Sequence, residues 1–366
     1  MSSLVNKLLC ENVKNLKPYE SARRLFAAGS GETQQTWLNA NESPFTNPYN
    51  MDDGRFNRYP DCQPSGVINA YAAYSGVTAQ NTLVSRGADE GIELLIRAFC
   101  TPGEDAVLIC PPTYGMYAIS AETCDVKVEK APLKADFSLD VENICTFKDK
   151  VKLVFICSPN NPTGTSVPPD QLQAVIEHFS DSALVVVDEA YIEFNWQCTW
   201  ANKLNQYPNL VILRTLSKAF ALAGIRCGFT LAAPEVIQAL LKVIAPYPIP
   251  EPVAQVARQA LESKGISKML QQVGDLNKQR NTLKEQLASI SSVELVGDDK
   301  ANFILFRCAQ KNELMQYLVD NHILIRDQSK QVNLQNCLRI TVGTADQNQQ
   351  LMDLIFSFFK QQESAQ

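Results

Sequence analysis

Histidine is nearly missing from this chain: only His178 and His322 occur in 366 residues, far apart in sequence. That leaves little room for a histidine-rich metal site or a serine–histidine hydrolase. An excess of positive charge is missing too. The formal net charge is −6, so no broad field draws the chain toward nucleic acid or an anionic membrane. Any anionic ligand must be held by local arginines and backbone amides. The eleven cysteines include no CxxC pair, the nearest two being Cys100 and Cys110, and their number is odd. Neither zinc-ribbon spacing nor a disulfide framework is supported, and reduced, mostly buried thiols of a cytoplasmic protein are expected. No apolar run approaches the roughly 18 residues of a membrane span. The N-terminus has no long apolar core and no small-residue cleavage pattern. Gly87-Ala-Asp-Glu-Gly91 is not a GxGxxG turn, which argues against a nicotinamide dehydrogenase. The absence of an attached basic segment argues against a regulator that binds DNA.

What is present is ordinary in bulk and specific in detail. With 45% hydrophobic and 20% charged residues the composition is that of a soluble globular protein, and the length suits two domains. Residues 1–35 are polar, carry Pro18, Gly29 and Gly31, and read as an arm or lid. A large domain is expected over 36–245. Its apolar runs at 106–110, 153–157, 183–187, 210–213 and 228–231 suit strands covered on both faces, as in a parallel sheet wrapped by helices. Stretches 90–99 and 169–179 supply helices between them. Residues 244–252 hold four prolines and cannot continue a helix. Beyond that bend, a long charged helical stretch (253–288), strand-like pieces (302–307, 323–325, 338–342) and a helix at 311–320 indicate a smaller α+β domain over 246–366. The expected fold class is therefore α/β.

In an open parallel sheet, ligands sit beyond the carboxyl ends of the strands. Three expected strands end in reactive residues. One runs into Ser158-Pro-Asn-Asn-Pro-Thr-Gly164, one into Asp188-Glu-Ala-Tyr191, and one into Arg214-Thr-Leu-Ser-Lys218. This set matches what a pyridoxal cofactor needs: a lysine to form an imine, a carboxylate behind the pyridine nitrogen, donors for the ring oxygen and a cationic phosphate cradle. Asp188 follows five apolar residues, and a buried anion requires a cationic partner. Asn161 and Tyr191 offer donors, and Tyr114 could stack on a ring. Lys218 is the imine former, its amine kept neutral by neighbouring charge such as Arg226. The expected phosphate cradle is the helix start at Arg86-Gly-Ala-Asp-Glu90, joined by Thr215, Ser217 and Arg226. Each residue alone has a plainer reading. A loop lysine is ordinarily a solvated charge, a strand-end aspartate a turn former, Tyr114 a core aromatic, and Arg339, within an apolar strand, half of an ion pair. The ordered combination is what points to cofactor chemistry.

Those motifs resemble the fold-type-I pyridoxal-phosphate aminotransferases, and within them the histidinol-phosphate branch, over essentially the whole chain. The likeness extends to Leu16-Lys-Pro-Tyr19, Trp37-Leu-Asn-Ala-Asn-Glu42, Arg58-Tyr-Pro60, Pro111-Pro-Thr-Tyr-Gly-Met116, Thr215-Leu-Ser-Lys-Ala-Phe-Ala-Leu-Ala-Gly-Ile-Arg226 and Cys337-Leu-Arg-Ile-Thr-Val-Gly343. The resemblance implies pyridoxal 5′-phosphate bound to Lys218, with Asp188 at the ring nitrogen, Asn161 and Tyr191 at the ring oxygen and Tyr114 stacked on the ring. Backbone amides of Ala88 and Asp89, with Thr215, Ser217 and Arg226, would hold the phosphate. Tyr59 would reach the same phosphate in the neighbouring subunit of a homodimer with shared sites. Arg339 would receive the glutamate carboxylate, Arg326 the phosphate of histidinol phosphate, and Tyr19 would cover the substrate. The implied reaction transfers the amino group of L-glutamate to imidazole acetol phosphate, giving 2-oxoglutarate and L-histidinol phosphate.

Overall fold

The computed structural model describes residues 3–14, residue 16 and residues 35–364. Tyr19 and most of the expected arm lie outside them. Short helices at Ser3–Leu8 and Glu11–Lys14 precede β1 (Thr36–Trp37). The central sheet is built from β2 (Thr82–Ser85), β3 (Ala106–Ile109), β4 (Lys127–Lys130), β5 (Leu153–Cys157), β6 (Leu184–Asp188), β7 (Leu210–Thr215) and β8 (Gly228–Ala232). Its seven strands lie in the order β2-β8-β7-β6-β5-β3-β4. Strands β5 and β7 are buried at every position, as a sheet covered by helices on both faces requires. The helices Ala88–Phe99 and Met116–Thr123 pack together on one side. On the other lie Ser65–Ser75 and Pro169–His178, whose Ile68, Leu172 and Ile176 join a separate cluster of core residues.

The sheet is mostly parallel, and β8 alone is reversed, pairing antiparallel with both β2 and β7. The cause is the short β7–β8 connection. Residues 216–227 close a wide hairpin, pinned where the Leu216 amide donates to the Cys227 carbonyl at 3.0 Å. Lys218 stands in this hairpin and not in a strand-to-helix crossover.

The remaining strands are β9 (Glu294–Val296), β10 (Phe303–Arg307), β11 (Ile323–Leu324), β12 (Arg326–Asp327) and β13 (Cys337–Thr341). Four of them form an antiparallel sheet in the order β12-β13-β10-β9. β11 instead pairs in parallel with β1, and the Thr341 amide donates to the Leu38 carbonyl at 2.9 Å, so residues 36–38 are bound into the C-terminal region. The stretch expected as one long helix is two, Glu251–Ala260 and Ser263–Ala288. Pro252 sits in the first turn of the former, where its missing N–H costs nothing. That helix also ties back to the N-terminal half, since Gln255 accepts from the Asp52 amide at 2.8 Å. No helix among the described residues is long and apolar enough to cross a membrane.

Candidate active site

Parallel registration of β5, β6 and β7 sets the site. Cys157 pairs with Asp188, and Asp188 with Leu213, so the carboxyl ends of the three strands lie side by side. The chain then leaves each strand as a loop over the same edge. Beyond that edge lies a cavity of about 430 Å³ lined by Ala88, Asp89, Tyr114, Asn161, Asp188, Tyr191, Thr215, Ser217, Lys218, Arg226, Arg326 and Arg339. Twelve of the fourteen residues singled out in the sequence thus meet in one place. Tyr19 lies outside the described residues. Tyr59 is 78% exposed, away from this cavity, and stacks on Tyr247 with ring centroids 4.4 Å apart.

Asp188 is buried at the floor. Its Oδ1 accepts from the Ala190 amide at 3.0 Å and its Oδ2 from the Tyr117 hydroxyl at 2.6 Å. No ion pair with a described cation compensates it. Burial raises its pKa to about 6, against the pull of those two donors. Lys218 is half-buried, and its Nζ donates to the Ala40 carbonyl at 3.0 Å. Burial, followed by the Arg339 charge, lowers the Lys218 ammonium to about 8. The cavity therefore holds a buried acid with no ion-paired cation among the described residues and an amine that gives up its proton more readily than an ordinary lysine.

Opposite partners surround the pair. The Tyr191 hydroxyl accepts from Asn41 Nδ2 at 2.8 Å, which leaves its own hydrogen to donate. Asn161 Oδ1 accepts from Arg339 Nη1 at 2.5 Å, so its Nδ2 is the end left to donate. Arg339 also donates from Nη2 to the Asn39 carbonyl at 2.8 Å. On β12–β13, Arg326 and Arg339 are directly opposed, which places both guanidinium groups on one face of the sheet.

At the far side, Gly87 (φ +84°) leads into the helix Ala88–Phe99, whose first-turn amides have no acceptor within the helix. Arg226 bridges Asp89 Oδ2 at 3.1 Å and Ser217 Oγ at 3.4 Å. Close approach makes this corner. A Cβ on Gly228 would lie 2.4 Å from the Ala88 amide nitrogen, and one on Gly87 would lie 2.7 Å from Arg226 Nη2. Only glycine brings the helix start, the strand and the guanidinium this near each other. Amides, hydroxyls and a fixed charge around one hollow are the groups that could receive a phosphate ester.

These residues fit pyridoxal 5′-phosphate: an acid lacking a cation at the floor, donors on one flank, a low-pKa lysine and an anion cradle. No cluster of His, Cys, Asp or Glu able to hold a metal occurs among the described residues. Several lining residues were not singled out in the sequence: Asn39, Asn41, Glu42, Thr113, Cys157, Gln328 and Gln331. One signal was available for Gln328. It follows Arg326 by two, and its amide continues the ladder to the Cys337 carbonyl at 3.0 Å, so both residues share a face.

The comparisons with known proteins agree with this geometry. The family model "Aminotransferase class I and II" matches residues 25–355. The chain is 68% identical over 366 residues to a histidinol-phosphate aminotransferase of Pseudoalteromonas atlantica, covering 100% of this chain and 98% of that protein. It is 53% identical over 343 residues to the enzyme of that name from Yersinia pseudotuberculosis, covering 94% and 88%. Among solved structures, the histidinol-phosphate aminotransferase of Sinorhizobium meliloti in complex with pyridoxal-5′-phosphate shares the fold. Its TM-score is 0.83 at 21% identity, covering 96% of this chain and 98% of that one. Fold and cavity define a pyridoxal-phosphate-dependent aminotransferase of fold type I. The chain belongs to the class I and II aminotransferases, in the histidinol-phosphate aminotransferase branch.

Proposed function

We propose that this cavity moves the amino group of L-glutamate to imidazole acetol phosphate, yielding 2-oxoglutarate and L-histidinol phosphate for histidine biosynthesis. When bound, pyridoxal 5′-phosphate supplies a ring that accepts the electron pair released at the substrate α-carbon. Lys218 Nζ, with its pKa lowered to about 8, is suited both to hold the cofactor and to take and return the α-proton. Asp188 keeps a proton at the ring nitrogen, and Asn161 and Tyr191 donate to the ring oxygen. Tyr114, whose hydroxyl donates to Asp89 Oδ1 at 2.9 Å, covers the ring face. The amides of Ala88 and Asp89, with Thr215, Ser217 and Arg226, hold the cofactor phosphate. Arg339 takes the α-carboxylate of glutamate as a planar fork, and Arg326 takes the phosphate of the second substrate. Tyr19 covers the substrate from the N-terminal arm. The smaller domain over 246–366 carries both substrate arginines to the larger one over 36–245.

The working unit in this reading is a homodimer in the cytoplasm. Tyr59 and Tyr247 are both exposed and stacked on each other, an aromatic pair suited to contact with a second copy of the chain. Tyr59 would extend from that contact to the neighbouring cofactor phosphate. Eleven free thiols suit a reducing compartment. The observation that carries the reading is the meeting of Lys218, Asp188 and the two opposed arginines around one cavity. The test is product analysis with both substrates supplied: 2-oxoglutarate and histidinol phosphate should form in equal amounts. Carbon dioxide release without amino transfer would refute it.

A further inference from the structure

We propose that Tyr117 is a positioning residue that holds the Asp188 carboxylate as an oriented anion facing the cofactor's ring nitrogen. This rests on the assignment of Asp188 to that nitrogen. Tyr117 stands on the helix Met116–Thr123, is 0% exposed and does not line the cavity, so it acts on the reaction only through residues that do, Asp188 being the one its hydroxyl meets at 2.6 Å. Its hydroxyl lies 2.6 Å from Asp188 Oδ2, while the Ala190 amide holds Oδ1 at 3.0 Å. One donor on each oxygen fixes the plane of the carboxylate, and each oxygen keeps further acceptor capacity for the cavity.

The phenol is placed by packing and not by the acid it serves. Its ring stacks on Phe155 of β5 at 4.9 Å and meets the edge of Tyr114 at 5.6 Å. Burial and the neighbouring Asp188 raise the phenol well above its ordinary range, so it stays protonated and can only donate to the carboxylate. The other titratable groups acting on Asp188 are Asp89 and Glu189, which disfavour its charge, with Cys157 and Tyr191 close by. A buried acid among further acids needs its donors to remain ionised. Removing one should make it protonate more readily and yield the proton on the ring nitrogen at lower pH.

The experiment uses holoenzyme loaded with pyridoxal 5′-phosphate labelled with ¹⁵N in the ring. The ring ¹⁵N shift is followed against pH in wild type, Tyr117→Phe, Asp188→Asn and the double variant, together with the cofactor dissociation constant and the melting temperature of each apoenzyme. Phenylalanine keeps the ring contacts and removes only the hydroxyl. The expected result is a ring nitrogen that deprotonates about one pH unit lower in Tyr117→Phe, with cofactor affinity about tenfold weaker. In the Asp188→Asn background the same substitution should change affinity less than about twofold. A lower melting temperature with an unchanged ¹⁵N titration would overturn the proposal, as would an equal loss of affinity in both backgrounds. A wild-type ring nitrogen that carries no proton would instead refute the Asp188 assignment itself.

Discussion

Arg326 and Arg339 are cross-strand partners, set directly opposite each other in the antiparallel pair β12–β13 and both facing the cavity. Like charges in that register repel, and an anion between them relieves the repulsion. The two arginines differ in burial and in their place in the sheet. Arg339 is buried and held by Asn161 and the Asn39 carbonyl, whereas Arg326 lies in an edge strand of the small sheet. This asymmetry suits one arginine for a carboxylate in a fixed place and the other for a group that changes between half-reactions. Arg326→Ala should lower kcat/KM for imidazole acetol phosphate by about a hundredfold and for glutamate by less than about tenfold. Single-turnover rates of each half-reaction measure this, and equal losses in both would contradict the division.

The lowered pKa of Lys218 has a kinetic consequence. Covalent capture of pyridoxal 5′-phosphate by apoenzyme needs the neutral amine, so its rate should rise with pH and level off above about 8. Burial is the main cause of the lowering and Arg339 the next, so Arg339→Leu should move the limb to higher pH. Stopped-flow absorbance over a pH series gives both curves. An unmoved limb would show that the Arg339 charge does not contribute to the lowering.

Gly228 offers a test of the phosphate cradle that touches no charged group. A methyl there would lie 2.4 Å from the Ala88 nitrogen and 2.4 Å from the Gly87 carbonyl carbon, both backbone atoms that cannot turn aside. Gly228→Ala should therefore push the helix start away from β8 and weaken cofactor binding at least about tenfold. Equilibrium dialysis of the cofactor checks this, with inorganic phosphate as a competitor for the wild-type cradle.

Asp188 should cost stability in the apoenzyme. Its folded pKa of about 6 lies above the ordinary 3.8, so the folded state binds the proton more tightly. Stability linked to this group is fullest below the lower value and declines as pH rises toward the upper one. Asp188→Asn removes that penalty. The variant apoenzyme should be more stable than wild type by about 2 kcal/mol at neutral pH, and the difference should shrink toward pH 4. Urea unfolding at the two pH values measures it, and cofactor affinity should fall in the same variant.

The central strands and the chemistry at their ends were legible in the sequence because both have local causes. An apolar run followed by an acid or a loop lysine is visible without the fold, and residues 153–157 form the strand expected of them. Harder to see were features that depend on partners distant in the chain. The reversal of β8 follows from a short connection closing on itself, and β4, an edge strand reading Lys-Val-Glu-Lys, carries no apolar run at all. The pairing of β1 with β11 joins residues 287 positions apart, Thr36 with Ile323 and Trp37 with Leu324, a contact no local pattern encodes. Within the site, Asn41 and Tyr117 act on Tyr191 and Asp188 across 150 and 71 residues. Their type alone, an asparagine and a core-sized aromatic, gave no sign of that work. Arg214 shows in the sequence only as part of a motif, yet it is fully buried and paired with Glu189 at 2.7 Å beneath the same strand ends.

The most direct measurement is to reduce cofactor-loaded enzyme with borohydride and map the modified peptide by mass spectrometry. The account requires a cofactor adduct on Lys218 Nζ and on no other lysine, with loss of the visible absorbance that glutamate also bleaches before reduction. An adduct on a different lysine, or a protein that takes up no pyridoxal 5′-phosphate, would contradict it.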